Sequence, residues 1–273
     1  MDVEYYTAFS ENLLVERIRF GCMSSGERQF KEFYPPPVEV TRTEYKFRIE
    51  DLECVLRPLE MPILSEKKYE PKVITLRDGS KMVVRQVERE EADILLEAIK
   101  PYFDVKQDFY DLVAVRTYAE ILAWKEYRIK DHYALIGVID GKLVGIVNAR
   151  LWDQDVAISL HTISFKRGVD VGPALYFSKV EHAFENLGVK EWWATFESYI
   201  GFRVLNVEWA KRQKPWPEYQ HELGGARVYY LTRDDWELLG KKKFAKYLGE
   251  RPVPPELLKS AEKPRINKKP FEF

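Results

Sequence analysis

The chain has 273 residues, of which 45% are hydrophobic and 14% aromatic, and a formal net charge of −1. This composition excludes a disordered chain, and the near-zero charge gives no general reason to expect nucleic acid as a partner. Two cysteines, Cys22 and Cys54, exclude a disulfide framework and have no metal-ligand spacing around them; no basic leader and no apolar run of ~18 residues suggests a signal peptide or membrane span. The expectation is a cytoplasmic protein with no membrane partner and no metal.

Residues 1–70 carry two strand-like runs, VERIRF and VEVTRTEYKFRI, divided by the helix-breaking YPPP. A proline-punctuated linker, LRPLEMPILSEKKYEP, follows. From Lys72 the pattern sharpens. KVITL and KMVVRQV flank Asp78-Gly79, a pair suited to positive φ, and predict a hairpin. EREEADILLEAIKPYF predicts a helix, with Ala92, Leu95, Leu96 and Ile99 at helical spacing and Pro101 as the stop. DFYDLVAVRTYAEILAWKEYRI predicts a second helix, and HYALIGVI with LVGIVNARLW a second hairpin around Asp140-Gly141. Next come a strand, VAISLHTISF; a helix, ALYFSKVEHAFENLG; a strand, VKEWWATFES; and a helix, SYIGFRVLNVEWAKRQ. PEYQHEL and ARVYYLT predict a closing hairpin through Gly224-Gly225. A short helix, DDWELLGKKKFAKYLG, then leads into a basic Pro/Lys-rich tail, expected as an extended arm or partly disordered.

This order predicts an α/β fold of the α+β kind, a mixed and mostly antiparallel sheet flanked by helices. Only the strand-helix-strand around residues 165–188 needs a parallel crossover. The expected organisation is an extension (1–70), a main domain (71–235), and a helix with basic tail (236–273).

Chemistry concentrates in the stretch FKRGVDVGPAL, between the HTISF strand and its helix. A loop entering a helix presents backbone N–H groups that lack an intrahelical partner, at the positive end of the helix dipole. Such a loop takes a phosphate where glycine lets the backbone approach. Gly168 and Gly172 supply that approach, Arg167 a positive charge, and Pro173 suits the first helical position. On spacing alone, an anion loop and an ordinary pair of turn glycines both fit.

The stretch 167-RGVDVGPAL-175 is similar to the RGxGxGxAL motif of the GNAT superfamily of CoA-dependent N-acyltransferases. The arginine comes first, Gly172 is in place and Ala174-Leu175 follow; Asp170 stands where the family usually has glycine. A softer likeness joins 198-SYIGFRVLN-206 to the family's N-x-x-S-x-R-V-L-E, with Ser198 at the asparagine position. With the element order, residues 72–233 resemble that superfamily.

The resemblance implies a splayed parallel strand pair and acetyl-CoA (CoA) as cosubstrate. Its pyrophosphate would lie on the loop Arg167, Gly168, Val169, Asp170, Val171 and Gly172, with Pro173 and Ala174 opening the helix. Its pantetheine would pair with Thr162, Ile163 and Ser164, whose N–H groups would also polarise the thioester carbonyl. The reaction implied is direct attack by a primary amine of a small molecule or protein. His161 and Glu197 are the candidates for the base. The family's tyrosine acid falls on Leu205 and Asn206 here, leaving Tyr219 and, more weakly, Tyr199.

Each of these residues has a structural alternative. His161 would sit under a helix, Glu197 would cap one, and Tyr219 would be a cross-strand packing partner. Trp152, Trp192, Trp193, Trp209 and Trp216 are core residues on the usual preference, or the wall of a pocket for an apolar substrate. A non-catalytic GNAT-fold module, CoA-sensing or protein-interacting, is the alternative function. Asp170 discriminates, because a carboxylate repels a pyrophosphate. A homodimer is compatible with either.

Overall fold

The structure is a computed structural model that describes residues 61–196, 201–202, 212–215, 218–219 and 227–272. The strand-like runs before residue 61, Glu197, Tyr199 and the Gly224-Gly225 turn lie outside the described residues.

The expected linker contains a helix, α1 (Pro62–Glu66). Strands β1 (Lys72–Thr75) and β2 (Lys81–Gln86) form the first hairpin. Helices α2 (Ala92–Ile99) and α3 (Tyr110–Lys125) follow, then β3 (His132–Ile139), β4 (Lys142–Leu151) and β5 (Val156–Ser164). Helix α4 (Val171–Glu181) runs on through a wider turn, His182–Leu187, to β6 (Glu191–Ala194). The sheet closes with β7 (Arg212–Gln213) and β8 (Tyr229–Thr232) in the order β1-β2-β3-β4-β5-β6-β8-β7. Among the described pairs only β5 and β6 run parallel, as the single crossover requires. Arg212 and Gln213, expected at a helix end, are instead the strand that pairs with β8. Glu218 and Tyr219, expected on a strand, lie in a turn.

Apolar side chains cover both faces of the sheet. On one face Leu135, Val147 and Ala149 pack against Leu175, Phe177 and Phe184 of the α4 segment. On the other, Ile136, Ile146 and Ile163 pack against Leu95, Ile99 and Ile121 of α2 and α3. Each such side chain contributes about 1.5–3 kcal/mol when fully buried. Gly145 of β4 sets the depth of α4. A Cβ there would stand 2.7 Å from Leu175 Cδ1 and 3.0 Å from Val171 Cγ1, so only glycine lets the first helical turn rest on the strand.

The expected arm is integrated into the fold. Before it, in the expected short helix, α5 (Arg233–Asp235) continues through the wide turn Trp236–Gly240 and Lys241–Lys243, and Trp236 and Phe244 are buried against Phe177. Glu250 then pairs with Val73 at the outer edge of β1, through bonds of 3.0 and 2.8 Å. Helix α6 (Pro255–Glu262) buries Ala261 on the α2/α3 face, and Arg265 bonds the β3–β4 turn through Gly141 and Leu143. Val253, Leu257, Leu258, Ala261, Ile266 and Phe271 of the tail pack with core residues distant in sequence, which composition alone does not reveal.

Candidate functional site

The ladder between β5 and β6 ends at Ile158 opposite Trp193, while β5 continues to Ser164. Its last six residues have no ladder partner on the β6 side among the described residues. The parallel ladder thus stops short of the end of β5, as the expected splay requires. Immediately beyond β5 the chain turns through residues 165–170 and enters α4. Gly168 has φ +80° and Asp170 φ +72°, the left-handed region that glycine, asparagine and aspartate tolerate best. A Cβ on Gly168 would meet nothing within 4 Å, and one on Gly172 only Ser164 Cβ at 3.8 Å, so the space over this loop is open. It forms a cavity of about 350 Å³.

Of the expected cofactor residues, Thr162, Ser164, Arg167, Gly168, Asp170, Val171, Gly172 and Pro173 line this cavity. Ile163 and Ala174 point into the core, and Val169 packs against it. Six further residues line it that sequence reasoning did not single out: Arg77 from the β1–β2 turn, Lys166, Asp108 and Tyr110 at the entry to α3, Val113 of α3, and Gly201. They come together only through the fold.

The cavity's charges are mutually engaged. Arg167 pairs with Asp108, and its guanidinium lies 5.2 Å from the ring centres of both Tyr110 and Phe271. Arg77 donates to the Gly168 carbonyl, and Lys166 pairs with Asp78 at 2.7 Å. The Asp170 carboxylate is met by Lys246 at 3.1 Å. The residue that departs from the motif thus brings its own counter-ion, and aspartate suits the left-handed backbone.

A second polar group lies on the α3 face of the sheet. Between Val147 opposite Thr162 and Ala149 opposite Ser159, β5 carries one extra residue, a β-bulge at Leu160 and His161. The bulge turns the His161 ring under α3, where Nδ1 meets Glu120 Oε2 at 2.9 Å. Asn148 donates to the same carboxylate at 2.7 Å and accepts from the His161 N–H at 2.9 Å. Burial pushes Glu120 up, but the charge of His161 and the hydrogen bonds from His161 and Asn148 hold it below the usual carboxylate range. Burial takes the neighbouring His132 down to about 3.

On the opposite face the fully buried Lys179 of α4 donates to the carbonyls of His161 at 2.8 Å and Asn148 at 3.2 Å, which the bulge releases from the ladder. Burial lowers Lys179 to about 7. Neither Glu120 nor Lys179 was singled out from the sequence. The signal for Glu120 was a carboxylate on the stripe Ala114, Thr117, Ile121 and Trp124, which is otherwise uncharged and buried.

His161 is thus drawn into a polar cluster, at 4% exposure. Tyr219 is 41% exposed, sits edge-on to Trp193 at 5.5 Å, and does not line the cavity.

Part of the chain is similar to solved structures that include a GNAT domain and an N-acetyltransferase. The GNAT domain of S. lividans PAT is 17% identical, with a TM-score of 0.45 over 59% of this chain and 96% of that one. PaiA N-acetyltransferase from Thermoplasma acidophilum, solved with coenzyme A, is 13% identical, with a TM-score of 0.38 over 55% and 98%. Mycobacterium smegmatis RimJ, solved with CoA-disulfide, is 10% identical, with a TM-score of 0.42 over 62% and 94%. No protein-family model and no curated protein matches the chain. No helix among the described residues is long and apolar enough to cross a membrane.

Proposed function

We propose that the protein is an N-acetyltransferase that moves an acetyl group from acetyl-CoA to a primary amine within a ternary complex. The observation that carries this reading is the parting of β5 from β6 immediately before a glycine-bearing entry to α4. An unpaired strand edge offers N–H and C=O groups to the amides of an extended ligand. The helix entry offers N–H groups and a positive dipole end to a phosphate. One ligand with an amide-bearing arm and a pyrophosphate satisfies both, and the open space over Gly168 and Gly172 fits it.

In this reading Thr162 and Ser164 flank the arm, and Arg77, Lys166 and Arg167 neutralise phosphate oxygens. Arg167 exchanges Asp108 for phosphate as it does so. When bound, acetyl-CoA supplies the thioester carbonyl that the amine nitrogen attacks and the thiol that leaves. His161 is the proposed base. A proton on Nδ1 donated to Glu120 makes Nε2 the basic nitrogen, and the carboxylate steadies the imidazolium that forms.

The test is calorimetric titration with CoA and acetyl-CoA, followed by thiol release on a panel of amines. Saturable binding with amine-dependent thiol release is expected. Binding without turnover on any amine would favour a CoA-binding module; no binding at millimolar CoA removes both readings.

A further inference from the structure

A cluster of aromatic rings on the α3 face of the sheet surrounds a cation. Lys214 Nζ lies 4.3 Å from the ring centre of Tyr230, 4.9 Å from that of Trp193 and 5.8 Å from that of Tyr219. Its counter-ion is Glu191, at 2.6 Å. The same carboxylate oxygen accepts from Trp193 Nε1 at 2.7 Å, which fixes the carboxylate against the ring. Three π faces and one oriented carboxylate form the arrangement that recognises alkylammonium ions.

The cage lies on the sheet face that carries the His161–Glu120 pair. Directly opposite residues in a ladder share a face. His132 opposes Arg150, Arg150 opposes Ile158, Ile158 opposes Trp193, and Trp193 opposes Tyr230. His132 packs on Trp124 of α3, so the whole row faces that helix, as His161 does through Glu120. Trp193 also stands at the last paired position before β5 and β6 part.

We propose that this cage is the acceptor subsite, and that it takes a primary ammonium on an unbranched alkyl chain, of the lysine side-chain kind. The proposal rests on the acetyltransferase reading for its role, though not for its chemistry. Lys214 occupies the cage in the free protein and shows the length and charge that it accepts. An incoming alkylammonium replaces it like for like, making the same ring contacts and the same ion pair, so the exchange leaves no buried charge unpaired. The exposed edge of Tyr219 is the side from which it enters.

The experiment measures binding without CoA, so its failure is distinct from failure of the acetyltransferase reading. The probes are Nα-acetyl-lysine methylamide and its uncharged counterpart Nα-acetyl-norleucine methylamide, followed by tryptophan fluorescence. Lys214→Met empties the cage, and its affinity for the lysine probe is expected to rise about tenfold or more over wild type. Norleucine is expected to gain nothing, and adding Glu191→Gln to Lys214→Met should abolish the gain. Equal gains for both probes, or none for lysine, would overturn the proposal. A measurement on the wild type guards against a misfolded variant. The ring-shifted Lys214 ε-methylene resonance should move to its ordinary position as the lysine probe saturates, and a resonance that stays in place also overturns the proposal.

Discussion

Asp170 and Lys246 form a pair whose removal from one side only is informative. With Lys246 present, the carboxylate beside the proposed pyrophosphate site has a counter-ion at 3.1 Å. Lys246→Ala leaves that carboxylate facing the ligand and should weaken CoA binding several-fold, measured calorimetrically and more strongly at low salt. Asp170→Gly removes the repulsion and suits the left-handed backbone, so it should bind at least as well as wild type. His161 and Glu120 should separate binding from chemistry. His161→Ala should lower kcat by about 10²–10⁴ with CoA affinity retained, as loss of a general base does. Glu120→Gln should shift the pH dependence of the rate as well as its height, and an unchanged pH profile would assign the pair to structure alone.

Gly145 and Lys179 act at the scale of whole elements, because each fixes how α4 meets the sheet. Gly145→Val forces α4 away from β4 and should cost about 1–3 kcal/mol by overpacking, read from urea unfolding, with a matching loss of CoA affinity. Lys179→Met leaves two buried carbonyls of the bulge without their donor, at about 1–3 kcal/mol for each group left unsatisfied. The hairpins were legible because Asp78-Gly79 and Asp140-Gly141 are local devices, and the strand into α4 because Gly168 and Gly172 stand close together in sequence. The partners of those elements were not. Glu120 reaches His161 across 41 positions and Lys179 reaches it across 18, so no window of sequence holds either pair. The helix within the tail was not legible for the same reason. Helix α6 shows only Leu257, Leu258 and Ala261 as an apolar stripe, and its neighbours Gly141 and Arg85 lie more than a hundred residues earlier.

The buried ionisable groups give the whole molecule a definite pH response. His132 and His182 are both pushed by burial from 6.5 to about 3. Between those values the unfolded chain binds more protons than the folded one, so stability falls as the pH drops through the window. Glu120, held below its usual range, adds to the loss in acid. Burial also lowers Lys179 to about 7 and Lys72 to about 8, from 10.5. Across that interval the unfolded lysines again hold more protons, so stability rises with pH. Above about 10 the buried tyrosines Tyr133 and Tyr176, raised by burial, reverse the trend. Urea midpoints should therefore climb from pH 4 to about 10 and fall beyond; a maximum near pH 6 would contradict the lysine assignments. The pairing of Glu250 with Val73 bears on the behaviour of many molecules together. A bare edge strand is a template on which a second copy can lay its own strand, and from there self-assembly runs on. With Glu250 exchanging both bonds with Val73, and Gly249 so close that a Cβ would stand 2.6 Å from the Val73 carbonyl, that position of β1 is already occupied. The segment Gly249-Glu250 thus covers the Val73 position of β1 against pairing with a second copy.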